Sequence, residues 1–547
     1  MRRLAWARAA SGMALAAVAA LWVLYPIARL CAGLEGAGQS LASFTPLWHS
    51  LWTSALSSAC ATAVGFAWAA LLSQAPSRLR PALHAISLLP LWTPPFIGAF
   101  AIADAYGRAG LMDTLWHVHL DWLYGPWGVT AALAVHAVPI GYLSGLTALQ
   151  AYDRDAERAA RSCGASPLSA FWAAFAPAAR GPLASSAAVA FAFGLGDFGV
   201  PYELGEPSGF QTAATAIFAD LSTGGANGFG LAAWQSVELM ALGLLAFGLQ
   251  ALRPGGAVVA PSASASLEQR PVWRAGGAVI LILFSAYSVA VSLFPLAAVF
   301  LTAVTRAYGL PPAPANWDWR GFVDPVLSAL PQMAHTAVLA VAAAVAVAAL
   351  GLAAAEIARI SRLGRLAHRV MCLLYAAPGT AVAVAVMVGF GHALYGTWAL
   401  LWVAYVAKFY GQADVLPAVR RQVSEDAWRA ARSLGGRWRH AYLAAVWPVM
   451  RQAVRQVMLL TLMAGLYEVT LSSLLYGPRT ETVAVLVLSA SEGGDMRTVA
   501  SLAVWMTLAT FAAGFAALHA PADRRRKRPR LRAFTLSQAS AFEEVNP

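Results

Sequence analysis

Apolar residues run in long blocks along this chain, and polar residues collect in the segments between them. About twelve such blocks stand out, at roughly 11–32, 50–73, 82–106, 127–150, 182–202 and 231–252, then 275–303, 332–357, 368–394, 396–417, 454–475 and 497–519. Each is near the ~20 residues a helix needs to cross the hydrocarbon core. Several hold prolines (Pro90, Pro94, Pro95, Pro139, Pro378), which membrane helices tolerate when neighbours satisfy the freed backbone groups. The pattern predicts an all-α polytopic membrane protein of about twelve transmembrane helices. Six would lie in residues 1–252 and six in 274–520. Residues 253–273 (RPGGAVVAPSASASLEQRPVW) have linker composition.

Composition strengthens that picture. Of the 547 residues 59% are hydrophobic and 12% charged, against about 25% charged in a soluble chain. The net charge of +12 is not a nucleic-acid footprint, because the arginines sit in a few short segments between apolar blocks. Arg-rich segments alternate with poor ones. The N-terminus, Arg78/Arg80, Arg253/Arg270/Arg274, Arg359/Arg362/Arg365/Arg369 and the tail 521–547 are basic, whereas 33–49 and 201–230 hold no Lys or Arg. The positive-inside rule then places both termini in the cytoplasm, and the basic tail would lie on anionic lipid. The first block, behind Arg2, Arg3 and Arg8, reads as a membrane helix and not as a removed signal peptide. Four scattered cysteines form neither a disulfide framework nor a zinc motif.

One polar stretch occurs twice. At a constant offset of 271 residues, Arg158-Ala159-Ala160-Arg161-Ser162 faces Arg429-Ala430-Ala431-Arg432-Ser433. Gly164 faces Gly435, Pro177 faces Pro448, and Arg180 faces Arg451. Because the offset keeps direction, two parallel units are expected. Asp153 and Ser424 are helix N-caps, and Asp155 and Asp426 stand three residues before Arg158 and Arg429, spaced to pair with them. The glycines end that short helix. A second amphipathic helix follows, and the prolines are expected to close it. The repeated loops, 153–181 and 424–452, thus read as two elbows on the cytoplasmic face.

Small-small, three residues, Gly, then Pro thirteen positions later resembles the coupling loop of the permease subunits of bacterial ABC importers. There the pattern begins Glu-Ala-Ala and docks into the ATP-hydrolysing subunit. Ala159, Ala160, Gly164 and Pro177 match, as do Ala430, Ala431, Gly435 and Pro448; the Glu position is Arg158 or Arg429. Two permease repeats fused in one chain, with GLGDFGVPYELG (194–205) and YEVTLSSLLYGPRTETVAVLVL (467–488), further resemble the ferric-iron importers, whose relatives carry thiamine and aminoalkylphosphonates. The resemblance implies two copies of a separate ATPase, a periplasmic substrate-binding protein, a bacterial inner-membrane location, and no cofactor.

Asp197 and Glu468 share the same offset and follow apolar runs. Charge inside a membrane lines a pathway or finds a partner, so the pair either borders the translocation route or braces helix ends. Asp104 and Lys408 are similar cases, with snorkelling expected of the lysine. His117 and His119 near Asp113 and Asp121 lack standard metal-ligand spacing. No phosphate-binding Gly-Lys-Ser/Thr loop is present, so ATP hydrolysis is expected on another chain, and no nucleophile–base constellation appears. Rival readings are an ion-coupled secondary transporter, which needs ionisable midplane residues, and a membrane scaffold.

Overall fold

The computed structural model describes residues 2–33, 44–73, 75, 76, 78–223, 225–251, 277–433 and 438–519. The expected linker 253–273, the tail 521–547 and Gly435 lie outside the described residues.

The first half begins with α1 (Arg2–Ala19) and α2 (Tyr25–Ala32), joined by one π-helical turn at Ala20–Leu24. Pro26 follows that turn. A wider turn lets a helix pass a residue that has no N–H to give. Next come α3 (Phe44–Leu72), α4 (Arg80–Ser87), α5 (Leu89–Trp92), α6 (Pro95–Tyr106) and α7 (Leu111–Trp116). After α8 (Pro126–Gln150) the chain forms α9 (Arg154–Ser162), α10 (Pro167–Gly196), α11 (Gly199–Gly205), α12 (Ala213–Thr223) and α13 (Gly225–Ala251). The second half opens with α14 (Gly277–Ser288) and α15 (Phe294–Val304), again joined by a π turn, Val289–Leu293, ahead of Pro295. It continues with α16 (Trp319–Ser328), α17 (Leu330–Ile360), α18 (Arg362–Ala376), α19 (Gly379–Leu394), α20 (Trp398–Phe409) and α21 (Val415–Arg421). Then follow α22 (Glu425–Ser433), α23 (Trp438–Ala441), α24 (Trp447–Leu466), α25 (Thr470–Leu475), α26 (Val483–Glu492) and α27 (Met496–His519).

The chain is an all-α polytopic membrane protein. Each of the twelve expected blocks is helical, but not all are single spans. Seven helical stretches among the described residues are long and apolar enough to cross a bilayer, or nine if two bent pairs count as one span each. The correction has a local cause. Helix α10 meets α11 at 61°, and α18 meets α19 at 118° across Ala377-Pro378. The block at 82–106 is likewise divided ahead of Pro90 and at Thr93-Pro94. Proline disfavours helical geometry in the residue before it.

A second correction concerns the prolines of the repeat. Pro177 does not close a helix, since α10 runs through Pro177 and Pro182 to Gly196. Pro448 stands in the first turn of α24, directly after a π turn at Tyr442–Val446. The wider turn takes up the missing N–H and the helical path continues.

The halves interlock. Helix α1 packs on α17 and α18, and α2 on α19, while α15 packs on α6. Phe284 of α14 meets Trp68 of α3 edge-on at 5.1 Å. Each half therefore lends its opening helices to the other. Small residues permit the closest approaches. A Cβ on Gly65 would lie 2.4 Å from the Tyr142 nitrogen, so α3 and α8 touch backbone to backbone. A Cβ on Gly351 would meet Ala413 Cβ at 2.5 Å in the second half. The largest apolar core joins Leu15, Val23 and Leu30 of α1–α2 to Leu195, Leu239, Val382, Tyr405 and Leu475.

Candidate functional site

The first elbow is built by its caps. Asp153 Oδ1 accepts hydrogen bonds from the N–H groups of Asp155 (2.8 Å) and Ala156 (3.3 Å), satisfying donors that the first turn of α9 leaves unpaired. At the other end Ala165 N–H donates to Ala160 O and Gly164 N–H to Arg161 O. This is the Schellman arrangement, and it puts Gly164 at φ +87°, a region where only glycine is unstrained. Arg158 pairs with Asp155 at 3.1 Å and Arg161 with Glu157 at 2.7 Å. The Tyr152 hydroxyl also donates to Glu157. No residue of α9 is fully buried, and Asp155, Ala156, Arg158, Ala159, Arg161 and Ser162 are exposed.

The second elbow uses the same start. Ser424 Oγ accepts from the N–H groups of Asp426 (3.2 Å) and Ala427 (3.4 Å). Arg429 faces Asp426 at 3.8 Å, and α22 too has no buried residue. Its bracing is different. Arg359 at the end of α17 reaches Glu425 at 2.9 Å, and the buried Arg420 of α21 donates to Glu356 of α17 at 2.5 Å. Among the candidate coupling residues Arg158, Ala159, Gly164, Pro177, Arg429, Ala430 and Pro448 are exposed, while Ala160 and Ala431 are half-buried.

Four helix breaks meet near the centre. A Cβ on Gly196 would lie 3.5 Å from Pro378 Cα, one on Gly199 2.7 Å from Phe96 Cβ, and one on Gly379 3.1 Å from Thr470 Cγ2. Asp197 and Glu468 stand at two of these breaks in matching roles. Asp197 Oδ1 accepts from Val200 N–H at 2.8 Å, and Glu468 Oε1 from Leu471 N–H at 2.9 Å. Each carboxylate therefore caps the short helix that follows it, α11 or α25. The two also stand close enough for their charges to act on one another.

Lys408 does not snorkel outward as expected. Its ammonium donates to Ala377 O, and to Tyr375 O at 3.3 Å, and it acts on Glu468 through space. A cation there satisfies the carbonyls that the abrupt end of α18 exposes. Apolar context alone gave no sign of this. Asp104 is 1% exposed and accepts from Thr302 Oγ1 of α15 at 2.9 Å, across the junction of the halves. Near one end of that junction Tyr202 OH donates to Glu492 at 2.6 Å and Ser491 to Glu203 at 3.4 Å.

The His117/His119 segment is an ion-pair cluster. His119 meets Asp113 at 3.1 Å, and Arg108 holds Asp121 at 2.7 Å. The Ala109 N–H, then His119, keep the Asp113 carboxyl below its usual range, and Arg108 does so for Asp121. His117 takes a left-handed conformation at the end of α7, where its backbone N–H donates to Asp113 O at 2.8 Å.

Sequence reading also passed over a paired motif. His84 Nδ1 lies 2.9 Å from Tyr142 OH, and His368 Nδ1 lies 2.9 Å from Tyr410 OH. Both histidines stand ten residues before the proline of a break, Pro94 or Pro378. Aligning the halves on those prolines reveals them.

Comparison with known proteins bears on the same elements. Residues 61–253, which hold α8 to α11, match the family described as binding-protein-dependent transport system inner membrane component. The chain is 31% identical over 192 residues to a probable molybdenum ABC transporter permease of Haloferax volcanii, covering 34% of this chain and 70% of the relative. It is 30% identical over 158 residues to the molybdenum transport system permease ModB of Mycobacterium bovis, covering 29% of this chain and 60% of that protein's length. A putative ferric transport system permease of Haemophilus influenzae is 27% identical over 175 residues, 31% of this chain and 27% of the relative. With its apolar helices, its broken central spans and these matches, the chain belongs to the family of binding-protein-dependent transport system inner membrane components, as a multi-pass inner-membrane protein.

Proposed function

We propose that this chain is the membrane-spanning subunit of an ATP-driven ABC importer. Residues 1–252 and 274–520 act as two parallel permease units joined by 253–273, with both termini cytoplasmic. Two copies of a separate ATPase grip the elbows, and a periplasmic binding protein delivers substrate to the outer loops. The observation that supports this most is the pair of elbows, each capped at its start by a side chain and each free of buried residues. A short helix that keeps most of its residues exposed while its base is braced by its own chain is suited to a partner. Closure of the ATPase pair draws the elbows together and switches the pathway between inward and outward access. The energy enters as a different affinity of the partners for the two states. The chain itself does no chemistry on substrate.

Ferric iron is our first reading of the cargo. Asp197 and Glu468 near the centre, with Glu203 and Glu492 at the junction of the halves, form a carboxylate-rich route that suits a hard cation. The names of two relatives above favour a second reading, a molybdenum species. Thiamine and aminoalkylphosphonate fall behind these. Uptake of radiolabelled iron and molybdate by cells with and without the gene decides between them.

The coupling role is tested by Gly164→Arg combined with Gly435→Arg. Nothing lies within 4 Å of a Cβ on Gly164, so that substitution meets only the backbone strain of a left-handed position, about 1–2 kcal/mol. Loss of ATPase co-purification and of uptake in a well-assembled protein is the expected result. An ATPase that stays bound with unchanged uptake overturns the reading.

A further inference from the structure

The second half holds a group of donor atoms that belongs neither to the elbows nor to the central carboxylates. His368 and Cys372 stand one turn apart on α18, and Asp414 closes the turn between α20 and α21. His368 Nε2 lies 3.0 Å from Asp414 Oδ1, and Cys372 Sγ lies 3.8 Å from His368 Nε2 and 3.9 Å from Asp414 Oδ1. Among the described residues, this is the trio of His, Cys and acidic side chains brought close enough to share one ion. From these donors and this spacing, we propose that His368, Cys372 and Asp414 form a binding site for a divalent metal ion of the zinc class, tying α18 to the turn that leads into the second elbow.

Geometry supports the assignment. Tetrahedral bonds of about 2.0 Å to nitrogen and oxygen and about 2.3 Å to sulfur imply donor separations of roughly 3.3 Å and 3.6 Å. The observed separations differ from these by a few tenths of an ångström, within reach of small side-chain rotations. An N, S, O donor set favours zinc or cobalt over a hard trivalent ion.

His368 is positioned for the role. Tyr410 OH lies on its Nδ1, which leaves Nε2 to face the other donors. A second-shell partner of that kind fixes ring orientation and tautomer in metal sites. The hydroxyl serves both states. It donates to Nδ1 while Nε2–H donates to Asp414, and it accepts from Nδ1–H once Nε2 carries the metal. In that exchange the imidazole proton moves from Nε2 to Nδ1, and the Cys372 thiol gives up one proton to solvent as the metal–sulfur bond forms. Asp414 has a side chain 71% exposed, which provides the entry path and room for a water as fourth ligand. Arg369 and Arg421 stand within electrostatic range of Asp414 and compete with the ion for its carboxylate.

The first half is a built-in control. It keeps the His84–Tyr142 contact, but Leu88 stands where Cys372 does, six residues before the proline. The turn after Tyr142 reads Leu143-Ser144-Gly145-Leu146 and carries no carboxylate. Leu88 and Leu146 instead complete an apolar cluster.

The test uses the full-length chain, purified without a polyhistidine tag in nanodiscs, and titrated with Co²⁺ and Zn²⁺. One equivalent of Co²⁺ should give a thiolate-to-cobalt charge-transfer band in the near ultraviolet. Cys372→Ser and His368→Ala should lose the band, while His84→Ala and His119→Ala keep it. Tyr410→Phe should weaken binding roughly 10–100-fold. A band that is absent, or that survives Cys372→Ser, overturns the site. A second measurement needs no variant: Zn²⁺ should slow maleimide labelling of Cys372 and leave Cys31, Cys60 and Cys163, all exposed, unchanged. A Cys372 that reacts in the metal-free protein and reacts equally fast with Zn²⁺ also overturns it. Neither readout depends on transport, so its failure leaves the importer reading untouched.

Discussion

The two halves carry the same backbone devices and differ in what they place between them. Both open with a π turn ahead of a proline, both break a helix at a proline ten residues after a histidine, and both cap a short helix with a carboxylate. Around those devices the first half packs hydrocarbon. Leu88, Leu146 and Tyr142 share one apolar cluster, and Ala70 stands at the register where Glu356 stands in the second half, counted from Gly65 and Gly351. The second half inserts polar groups at these places. His368, Cys372 and Asp414 converge, and Glu356 holds the buried Arg420. The first elbow is braced from within, by Tyr152, Glu157 and Arg161, whereas the second is tied to α17 through Arg359–Glu425 and Glu356–Arg420. Prolines, glycines and caps set the path of the chain, and side chains of either character can fill the space that path leaves. The two elbows are therefore expected to respond differently to the same kind of damage.

The largest expected effect comes from the charged brace. Glu356→Ala strands the Arg420 guanidinium, 4% exposed, and should cost about 3–5 kcal/mol. Thermal unfolding in mild detergent reads it directly. Ala70→Gly, its counterpart in the first half, should cost only about 1 kcal/mol, the difference in helix propensity. Similar losses at the two positions would remove the asymmetry.

Close packing comes next. Gly65→Ala drives a methyl into the backbone of α8, where nothing can turn aside, and roughly 2–3 kcal/mol is the expected cost. Gly351→Ala meets Ala413 Cβ, which its backbone fixes, and Leu416 Cδ1, which can rotate aside, so a somewhat smaller loss of about 1–2 kcal/mol is expected. The yield of monodisperse protein should rank the two in that order.

The central carboxylates sharpen the comparison without unfolding the protein. Asn and Gln keep an acceptor oxygen, so Asp197→Asn with Glu468→Gln should leave both caps in place and stability within about 1 kcal/mol. If the charges serve the route, uptake falls while assembly is retained. Normal uptake in that double variant leaves the pair only a bracing role.

The smallest effects lie at the surface. Arg158→Ala and Arg429→Ala remove exposed pairs and should move stability by less than about 0.5 kcal/mol, while weakening ATPase docking. In the loop before α16, Arg497 holds Asp318 at 2.6 Å and keeps its carboxyl below the usual range. A depressed carboxyl pKa adds stability that is present above the unfolded value of 3.8 and is lost as pH falls through the lower folded value. Arg497→Ala should therefore lower stability slightly at neutral pH, leave the strongly acidic end unchanged, and so flatten the acid limb of the stability profile.

The helical class, the apolar blocks, the capped starts of α9 and α22 and the glycine turn after α9 were legible along the chain, because each rests on local chemistry. A run of apolar residues has few alternatives to a membrane helix, and Asp153, Ser424 and Gly164 act on backbone groups within a few residues. The same locality explains the errors. Pro177 reads as a stop when its surroundings are ignored, yet α10 passes through it. Lys408 reads as a snorkelling residue until the carbonyls of a different helix, at Tyr375 and Ala377, come within its reach. Asp197 and Glu468 were visible as a pair, but their capping role shows only once the helices break beside them.

By itself the sequence determined which segments are helical and apolar, where their caps fall, and that one polar motif occurs twice. Each of these follows from hydrophobicity and from hydrogen bonds that close within a turn. The tertiary structure alone decided how the opening helices cross between halves, which four breaks meet near the centre, and which distant side chains share a bond. Those outcomes depend on the packing of small residues and on orphaned backbone groups finding partners far along the chain, and no local pattern encodes such partners.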